Sequence, residues 1–513
     1  MSTTIGDSDP KEPLSDASPY EQRIEKDVHA AAEQGYVATN SHGESIVQFD
    51  RAAERRLRNK IDWMVVPTVS LLYLFCFIDR ANIGNARLAG LEKDLGMSGN
   101  DYNVLLSVFY ISYIVCEIPA NLICKWVGPG WFIPASSLGF GIASLCTAFV
   151  QDLPAGCGVR FVLGIFEAGM MPGIAYYLSR WYRRSELAFR LSLYVVMAPL
   201  AGAFGGLLAS GILSLPGIGS LHQWRMIFIV EGIITIGLSL IAFVTLTDRP
   251  ETARWLTEEE KTLAIARVKS ERISQSTVLD AVSRKKIYRA ITNPAVLATA
   301  VTFLFNNITV QGLAFFAPTI VATIYPTSTT IRKQLYTVPP YVVGAAFEIF
   351  LPLLSWRFDK RQIFIMLTAP FTMMGYIMFL ASTDAHVRYA ATFFTAISCF
   401  ALGALTNAQA SAQVVSDSAR SVSIATNVMF GNVGGLISTW SYLERDAPNY
   451  HIGNGLNLAA SSMILVVSTL TLFWMLADNK KREKRDVGKE LEGLSSAEIE
   501  SLEWKHPGWR WKP

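Results

Sequence analysis

The chain has 513 residues, of which 51% are hydrophobic and 17% charged, and its formal net charge is +3. Soluble globular proteins average about 25% charged residues and disordered chains are poorer in apolar residues, so composition excludes both classes. The small net charge gives no reason to expect a nucleic-acid partner. The six cysteines form neither a CxxC pair nor a metal-ligand spacing, so we expect no disulfide framework, bound metal or cofactor.

Apolar segments recur along most of the chain, and each is long enough for the roughly 20 residues that a transmembrane helix needs. The pattern predicts an all-α polytopic membrane protein with twelve transmembrane helices. The predicted helices cover residues 62–84, 101–125, 131–150, 156–179, 189–213, 224–246, 294–323, 336–356, 362–382, 389–413, 421–443 and 456–477.

The helix pattern repeats, because corresponding helix ends in the two halves lie about 231 residues apart. Two pseudo-symmetric six-helix bundles around a midplane site are typical of secondary transporters that work by alternating access. Twelve helices without such symmetry, as in a channel or membrane enzyme, remain the alternative. The predicted domains are a disordered tail at 1–60, a bundle at 61–246, a central loop at 247–293, a bundle at 294–477 and a tail at 478–513.

Basic residues gather on one side of the predicted bundle. They cluster at 51–60 before the first helix, at 284–289 in the central loop and at 480–485 after the last helix. Cytoplasmic loops carry an excess of Lys and Arg, so we expect both termini and the central loop to be cytoplasmic. The plasma membrane is the expected location.

Ionisable residues inside the predicted helices are the candidates for chemistry, because each costs roughly 2.5–3.5 kcal/mol to insert at the bilayer centre. Arg160 and Glu167 are seven residues apart on one helix face, about 10.5 Å along the axis. An arginine can bind an anion there, and a buried carboxyl can load and release a proton. Structural ion pairs are an equally open interpretation. The full set is Asp79, Arg80, Glu117, Arg160, Glu167, Glu231 and Glu348.

The remaining acids receive structural interpretations. Glu117 precedes Pro119 and is expected to brace the end of the second helix, while Glu231 and Glu348 are expected to pair with loop arginines. Amides inside apolar runs either hold helices together or line a cavity.

Several motifs resemble those of the major facilitator superfamily, and within it the fungal, allantoate-permease-like branch of the anion:cation symporter family. Residues 77–86 read FIDRANIGNA, 113–121 YIVCEIPAN, 160–169 RFVLGIFEAG, 446–450 DAPNY and 506–511 HPGWRW. The resemblance implies proton-coupled uptake of small organic anions and related vitamins. It implies that Arg80 and Arg160 attract the anion, that Asp79 and Glu167 exchange protons, and that Tyr113 lies by the substrate. Two departures, Ser418-Ala419-Arg420 after the tenth helix and the missing Trp before Asn407, leave the substrate open.

The sequence therefore predicts a transporter, not an enzyme, whose partners are a small organic anion, protons and the lipid bilayer. The alternative is an exporter of a secondary metabolite or xenobiotic that works by proton antiport. A nutrient receptor is a third possible function. The oligomeric state stays open. The predicted substrate-binding residues are Arg80, Arg160, Tyr113, Asn82, Asn307 and Asn432, and the predicted proton-coupling residues are Asp79 and Glu167.

Overall fold

The computed structural model describes residues 50–182, 184–215, 224–270, 284–358, 360–414, 417–491 and 502–513, and all regular secondary structure within these ranges is helical. Residues 1–49 of the predicted tail at 1–60 lie outside them. The twelve long helices in the described ranges are α1 Arg51–Leu88, α2 Asp101–Val127, α3 Pro129–Thr147, α4 Leu153–Glu167 continued by Met170–Trp181, α5 Arg184–Val195 continued by Met197–Leu213, α6 Trp224–Thr245, α7 Pro294–Ile324, α8 Val338–Phe358, α9 Arg361–Ala381, α10 Ala385–Ala412, α11 Asp417–Ser438 and α12 His451–Glu483.

Ten of these helices are long and apolar enough to cross a membrane. The other two are α3, which begins with Pro129 and contains Pro134, and α11, whose apolar part is Val422–Ser438. Large apolar side chains point outward along the helices, for example Val115, Leu122 and Val244, which are 68%, 63% and 75% exposed. The prediction of an all-α polytopic membrane protein is confirmed.

Proline explains the interruptions of α4 and α5. Pro172 cannot donate a hydrogen bond to the carbonyl of Ala168, four residues earlier, and α4 is interrupted at 168–169. Pro199 stands in the same relation to Val195, and α5 is interrupted at Val196. The first interruption follows directly after Glu167, so this side chain lies at the end of a helical segment.

The packing of the helices repeats between the two halves. In the first half, α1 packs on α5, α2 on α4, and α3 on α4 and α6. In the second half, α7 packs on α11, α8 on α10, and α9 on α10 and α12. Each pair thus recurs six helices later, which confirms two pseudo-symmetric bundles.

Two close contacts between the halves lie near the far end of the bundle, defined here as the end where α1 finishes and α2 begins. A Cβ atom added to Gly84 of α1 would lie 2.5 Å from the carbonyl oxygen of Phe315 of α7, so only glycine permits this approach. Asn103 of α2 donates a 2.5 Å hydrogen bond to the carbonyl of Thr439, just beyond α11. The halves are therefore closed against each other at the far end.

The basic end, defined as the end where α1 begins, contains structure where the sequence predicts a tail and a loop. Residues 51–60 form the first turns of α1, and the central loop contains the helix Glu258–Ser270. Lys60 Nζ lies 2.6 Å from Glu260 Oε2. Partial burial alone would raise the pKa of Glu260, but hydrogen bonds from Lys60 and Thr257 lower it below its ordinary value.

A buried arginine anchors the same helix to the first half. Arg267 Nε lies 2.9 Å from Glu54 Oε1, and its Nη2 lies 2.7 Å from Glu186 Oε1. The second helix of the central loop, Arg284–Ile291, packs instead on α11. The central loop is therefore divided between the two halves.

The C-terminal residues 502–513 pack against the basic end of the second half. Trp511 is 2% exposed, and its indole nitrogen donates a 2.7 Å hydrogen bond to Asp478 Oδ2 of α12. The carbonyl of Lys512 accepts hydrogen bonds from Gln409 and Gln413 at the end of α10. The segment thus joins α10 to α12.

We expect Trp511→Ala to lower the stability of the protein by about 3 kcal/mol or more, because it empties a buried site and leaves Asp478 without the indole donor. Thermal unfolding in detergent would measure the change. Trp126→Ala is the matched control, since Trp126 is 88% exposed. Equal effects of the two substitutions would contradict a structural role for the C-terminal segment.

Candidate functional site

A buried salt bridge between α1 and α4 lies at the centre of the candidate site. Arg80 Nε lies 2.6 Å from Glu167 Oε2, and the two residues are 5% and 0% exposed. The other carboxylate oxygen of Glu167 has no hydrogen-bond partner among the described residues. Arg160, which the sequence places on the same helix face as Glu167, makes no salt bridge with it. The partner of Glu167 comes from another helix.

Aromatic rings surround the guanidinium of Arg80. Its Cζ atom lies 4.8 Å from the ring centre of Phe77, 4.9 Å from that of Tyr113 and 5.2 Å from that of Phe109. A cation over an aromatic face is attracted to it, and desolvation strengthens the attraction. The rings thus fix the orientation of Arg80. Tyr113, predicted to lie by the substrate, is one of these rings, and its contact in the structure is with Arg80.

A second group of polar side chains links α1 to α3 and α6. Ser144 of α3 donates a hydrogen bond to Asp79 Oδ1. Asn82 donates a 2.9 Å hydrogen bond to Glu231 Oε2 of α6, and Asn85 donates one of 2.8 Å to Asn82 Oδ1. The side chain of Asn82, predicted to bind substrate, is therefore already engaged on both its nitrogen and its oxygen.

Glu231 does not lie where the sequence analysis expects it. The sequence predicts that it pairs with a loop arginine, but it is fully buried and bound to Asn82. The sequence does contain a signal for the burial of Glu231. This residue lies seven positions after the start of α6 and is the only acidic residue of that helix. Glu348 of α8 likewise lacks the expected loop arginine, and its Oε2 has no hydrogen-bond partner in the described parts of the chain.

Arg160 offers unused donors in a buried position. It is 3% exposed, and its Cζ atom lies 5.7 Å from the ring centre of Phe228 of α6. Its Nε and Nη2 atoms have no hydrogen-bond partner within the described ranges. Asp79 and Glu231 are among the groups that act on it electrostatically. Arg160 therefore belongs to the same cluster as Arg80.

In the second half, the two predicted substrate residues make different contacts. Asn307 of α7 donates a 3.1 Å hydrogen bond to the carbonyl of Phe303 in its own helix. Asn432 of α11 donates one of 2.8 Å to Glu117 Oε2 of α2. Glu117 was expected to brace the end of α2; it joins the two halves instead. It lies one turn after Tyr113, and this bond connects the surroundings of Arg80 to α11.

The model of the Major Facilitator Superfamily matches residues 69–439. The chain belongs to this superfamily. This facilitator is 32% identical over 468 residues to an uncharacterized transporter of Schizosaccharomyces pombe. The aligned residues cover 90% of this chain and 91% of the relative. It is 29% identical over 471 residues to the high-affinity nicotinic acid transporter of Saccharomyces cerevisiae. Here the aligned residues cover 91% of this chain and 86% of the yeast transporter.

Solved structures of distant transporters share the fold of this facilitator. The crystal structure of a D-xylose-proton symporter superposes with a TM-score of 0.61 at 14% sequence identity, over 80% of this chain and 97% of the symporter. This similarity supports the fold alone. The superfamily match and the relatives show that the protein is a multi-pass membrane transporter of the facilitator type.

We expect Gly164→Ala to destabilise this facilitator. A Cβ atom at Gly164 would lie 2.5 Å from the carbonyl oxygen of Phe109 and would also meet Ser112 Oγ, so α2 and α4 would be forced apart. Overpacking of this kind costs about 1–3 kcal/mol. Gly158→Ala on the same helix is the control, because a Cβ there meets nothing within 4 Å. Thermal unfolding of both variants checks this, and an unaltered Gly164→Ala protein would contradict the packing described.

Proposed function

We propose that the protein imports a small organic anion by proton symport, within the anion:cation symporter branch of the superfamily. The observation that carries the proposal is the buried Arg80–Glu167 salt bridge. A charged pair placed inside an apolar bundle is expensive, and intramembrane ionisable residues often mark a substrate or proton pathway. The pair also combines an anion-binding group with a group that titrates.

The proposed mechanism is an exchange of partners at Arg80. Protonation of Glu167 removes its charge and weakens its attraction to the guanidinium. A carboxylate substrate then takes the place of Glu167, because the planar guanidinium matches carboxylate geometry. Proton and anion enter together, since either one alone would leave an unbalanced charge in the bundle. Arg160, with its unused donors, is the proposed second contact for the anion.

The aromatic side chains around Arg80 support a ring-bearing substrate. Phe77, Phe109 and Tyr113 offer faces and edges on which a planar ring can pack. The related yeast protein is named for transport of nicotinic acid, which is an aromatic monocarboxylate. We propose aromatic monocarboxylates as the first substrate class to test.

We propose that the protein lies in the plasma membrane with its basic end facing the cytoplasm. Both termini would then be cytoplasmic. In alternating access, the two bundles predicted at 61–246 and 294–477 would move against each other as rigid bodies. In this orientation the contacts at the far end, such as that of Gly84 on Phe315, close the pathway toward the outside. For import, these contacts and the Asn432–Glu117 hydrogen bond have to separate and re-form in each cycle.

We expect Arg80→Lys and Glu167→Gln each to abolish or strongly reduce proton-driven uptake while the protein still reaches the membrane. Lysine keeps the charge but loses the planar fork, and glutamine cannot exchange a proton. Uptake of radiolabelled nicotinate into proteoliposomes, with and without an acidic exterior, would measure the effect. Arg332→Ala, at an exposed site between α7 and α8, is the control.

Normal proton-driven uptake in Glu167→Gln would contradict the proposed role of Glu167 in proton coupling. The direction of transport is tested in the same vesicles. Stimulation of accumulation by an acidic exterior supports symport, whereas accumulation that dissipates an acidic interior supports the antiport alternative.

A further inference from the structure

Five ionisable side chains meet in the first half with no more than 5% exposure. They are Asp79, Arg80, Arg160, Glu167 and Glu231. With every group in its usual ionised form, the cluster carries three negative charges and two positive ones. The thiol of Cys76 and the phenol of Tyr113, which contact Arg80, are neutral at physiological pH.

One excess negative charge at this depth is unfavourable. An isolated ion loses its hydration in an apolar medium, and a buried group neutralises by taking up a proton rather than staying charged and unpaired. The substrate-free cluster therefore needs one proton. Three carboxyls of the cluster are candidates for holding it.

The hydrogen bonds exclude Glu167 as the holder, because it already forms a 2.6 Å salt bridge with Arg80. Neither Asp79 nor Glu231 has such a partner. Asp79 accepts from Ser144 and Glu231 from Asn82, both neutral donors. Asp79 Oδ2 and Glu231 Oε1 are buried and have no hydrogen-bond partner in the described parts of the structure.

Helix packing brings these two acids together. Asp79 and Asn82 are three residues apart on one face of α1, and Asn82 binds Glu231 directly. The neighbour of Ser144, Leu145, packs so tightly on Gly232 that a Cβ atom there would lie 2.8 Å from the Leu145 backbone. The two carboxyls act on each other electrostatically.

We propose that Asp79 and Glu231 form a carboxyl pair that shares one resident proton when no substrate is bound. This proton keeps the cluster neutral before the anion arrives. The inference rests on the proposed function, in which a second proton binds to Glu167 before the anion takes its place at Arg80. Loss of the resident proton leaves a net negative cluster that repels an incoming anion.

Groups from α1, α3, α4 and α5 face the pair. Arg80 faces it from α1 and Arg160 and Glu167 face it from α4, while α3 contributes the neutral Ser144. From α5, Gly205 packs on Asn82 and adds no charge. Glu117 lies outside the cluster because it binds Asn432 of α11. Arg160 is the only one of the facing cations without a salt-bridge partner in the described residues, so it offsets one carboxylate of the pair but not two.

The first test is the pH profile of nicotinate KM in proteoliposomes, compared between the wild-type protein and Glu231→Gln. Each proton that must bind before the anion raises KM about tenfold per pH unit above its pKa. The alkaline slope of log KM against pH should therefore fall by about one in Glu231→Gln, because glutamine needs no resident proton. Glu348→Gln, which removes a buried acid from α8, should keep the wild-type slope.

An unchanged slope in Glu231→Gln overturns the carboxyl pair but not proton symport. A wild-type KM and uptake rate that ignore pH overturn the proposed function itself.

The second test needs neither transport nor a substrate. Infrared spectra of the substrate-free protein should contain the stretch of a protonated carboxyl that disappears in Glu231→Gln and equally in Asp79→Asn, because either substitution removes the excess charge. Because this measurement needs only folded protein, it tests the carboxyl pair even if one variant does not transport. The spectra are compared as wild type minus variant, because the buried Glu117 and Glu348 contribute carboxyl bands of their own. Difference spectra without a lost carboxyl band in either variant overturn the proposal.

Discussion

The arrangement of the transporter depends on the cost of placing charge inside an apolar bundle. Two arginines and three carboxyls lie within the first half at almost zero exposure, where water cannot stabilise them. Arg80 and Glu167 form a salt bridge between α1 and α4. Arg160 has no salt-bridge partner in the described residues, and Asp79 and Glu231 accept hydrogen bonds from neutral donors. Buried salt bridges such as Arg80–Glu167 contribute little net stability. In the proposed function, this pair is the place where a charged substrate exchanges with a side chain.

Close helix packing and the interruption of α4 support the proposed exchange. Gly164 lets α2 approach α4, which brings Phe109 and Tyr113 against Arg80. The missing hydrogen-bond donor at Pro172 ends the helical segment directly after Glu167. The carboxyl therefore sits at a point where the backbone can adjust without breaking a continuous helix.

The sequence was sufficient for the fold because hydropathy and helix length report directly on membrane spans. It also identified Arg80, Arg160 and Glu167 as buried, since charges in apolar runs are conspicuous. It did not identify their partners, because helical periodicity describes one helix and says nothing of the neighbouring one. Periodicity placed Arg160 and Glu167 on one face, but the salt bridge formed with Arg80 of α1. Glu231 was misinterpreted for the same reason, since its partner Asn82 is 149 residues away.

The divided central loop has a consequence for how the chain could be assembled. Ion pairs hold Glu258–Ser270 to the first half, while Arg284–Ile291 packs on α11 and near the C-terminal segment of the second. Each half thus keeps its own piece of the connector, and the contacts of either piece do not require an intact peptide chain between residues 270 and 284. The gene could be split at that point, and two separately synthesised fragments would retain the surfaces through which they dock.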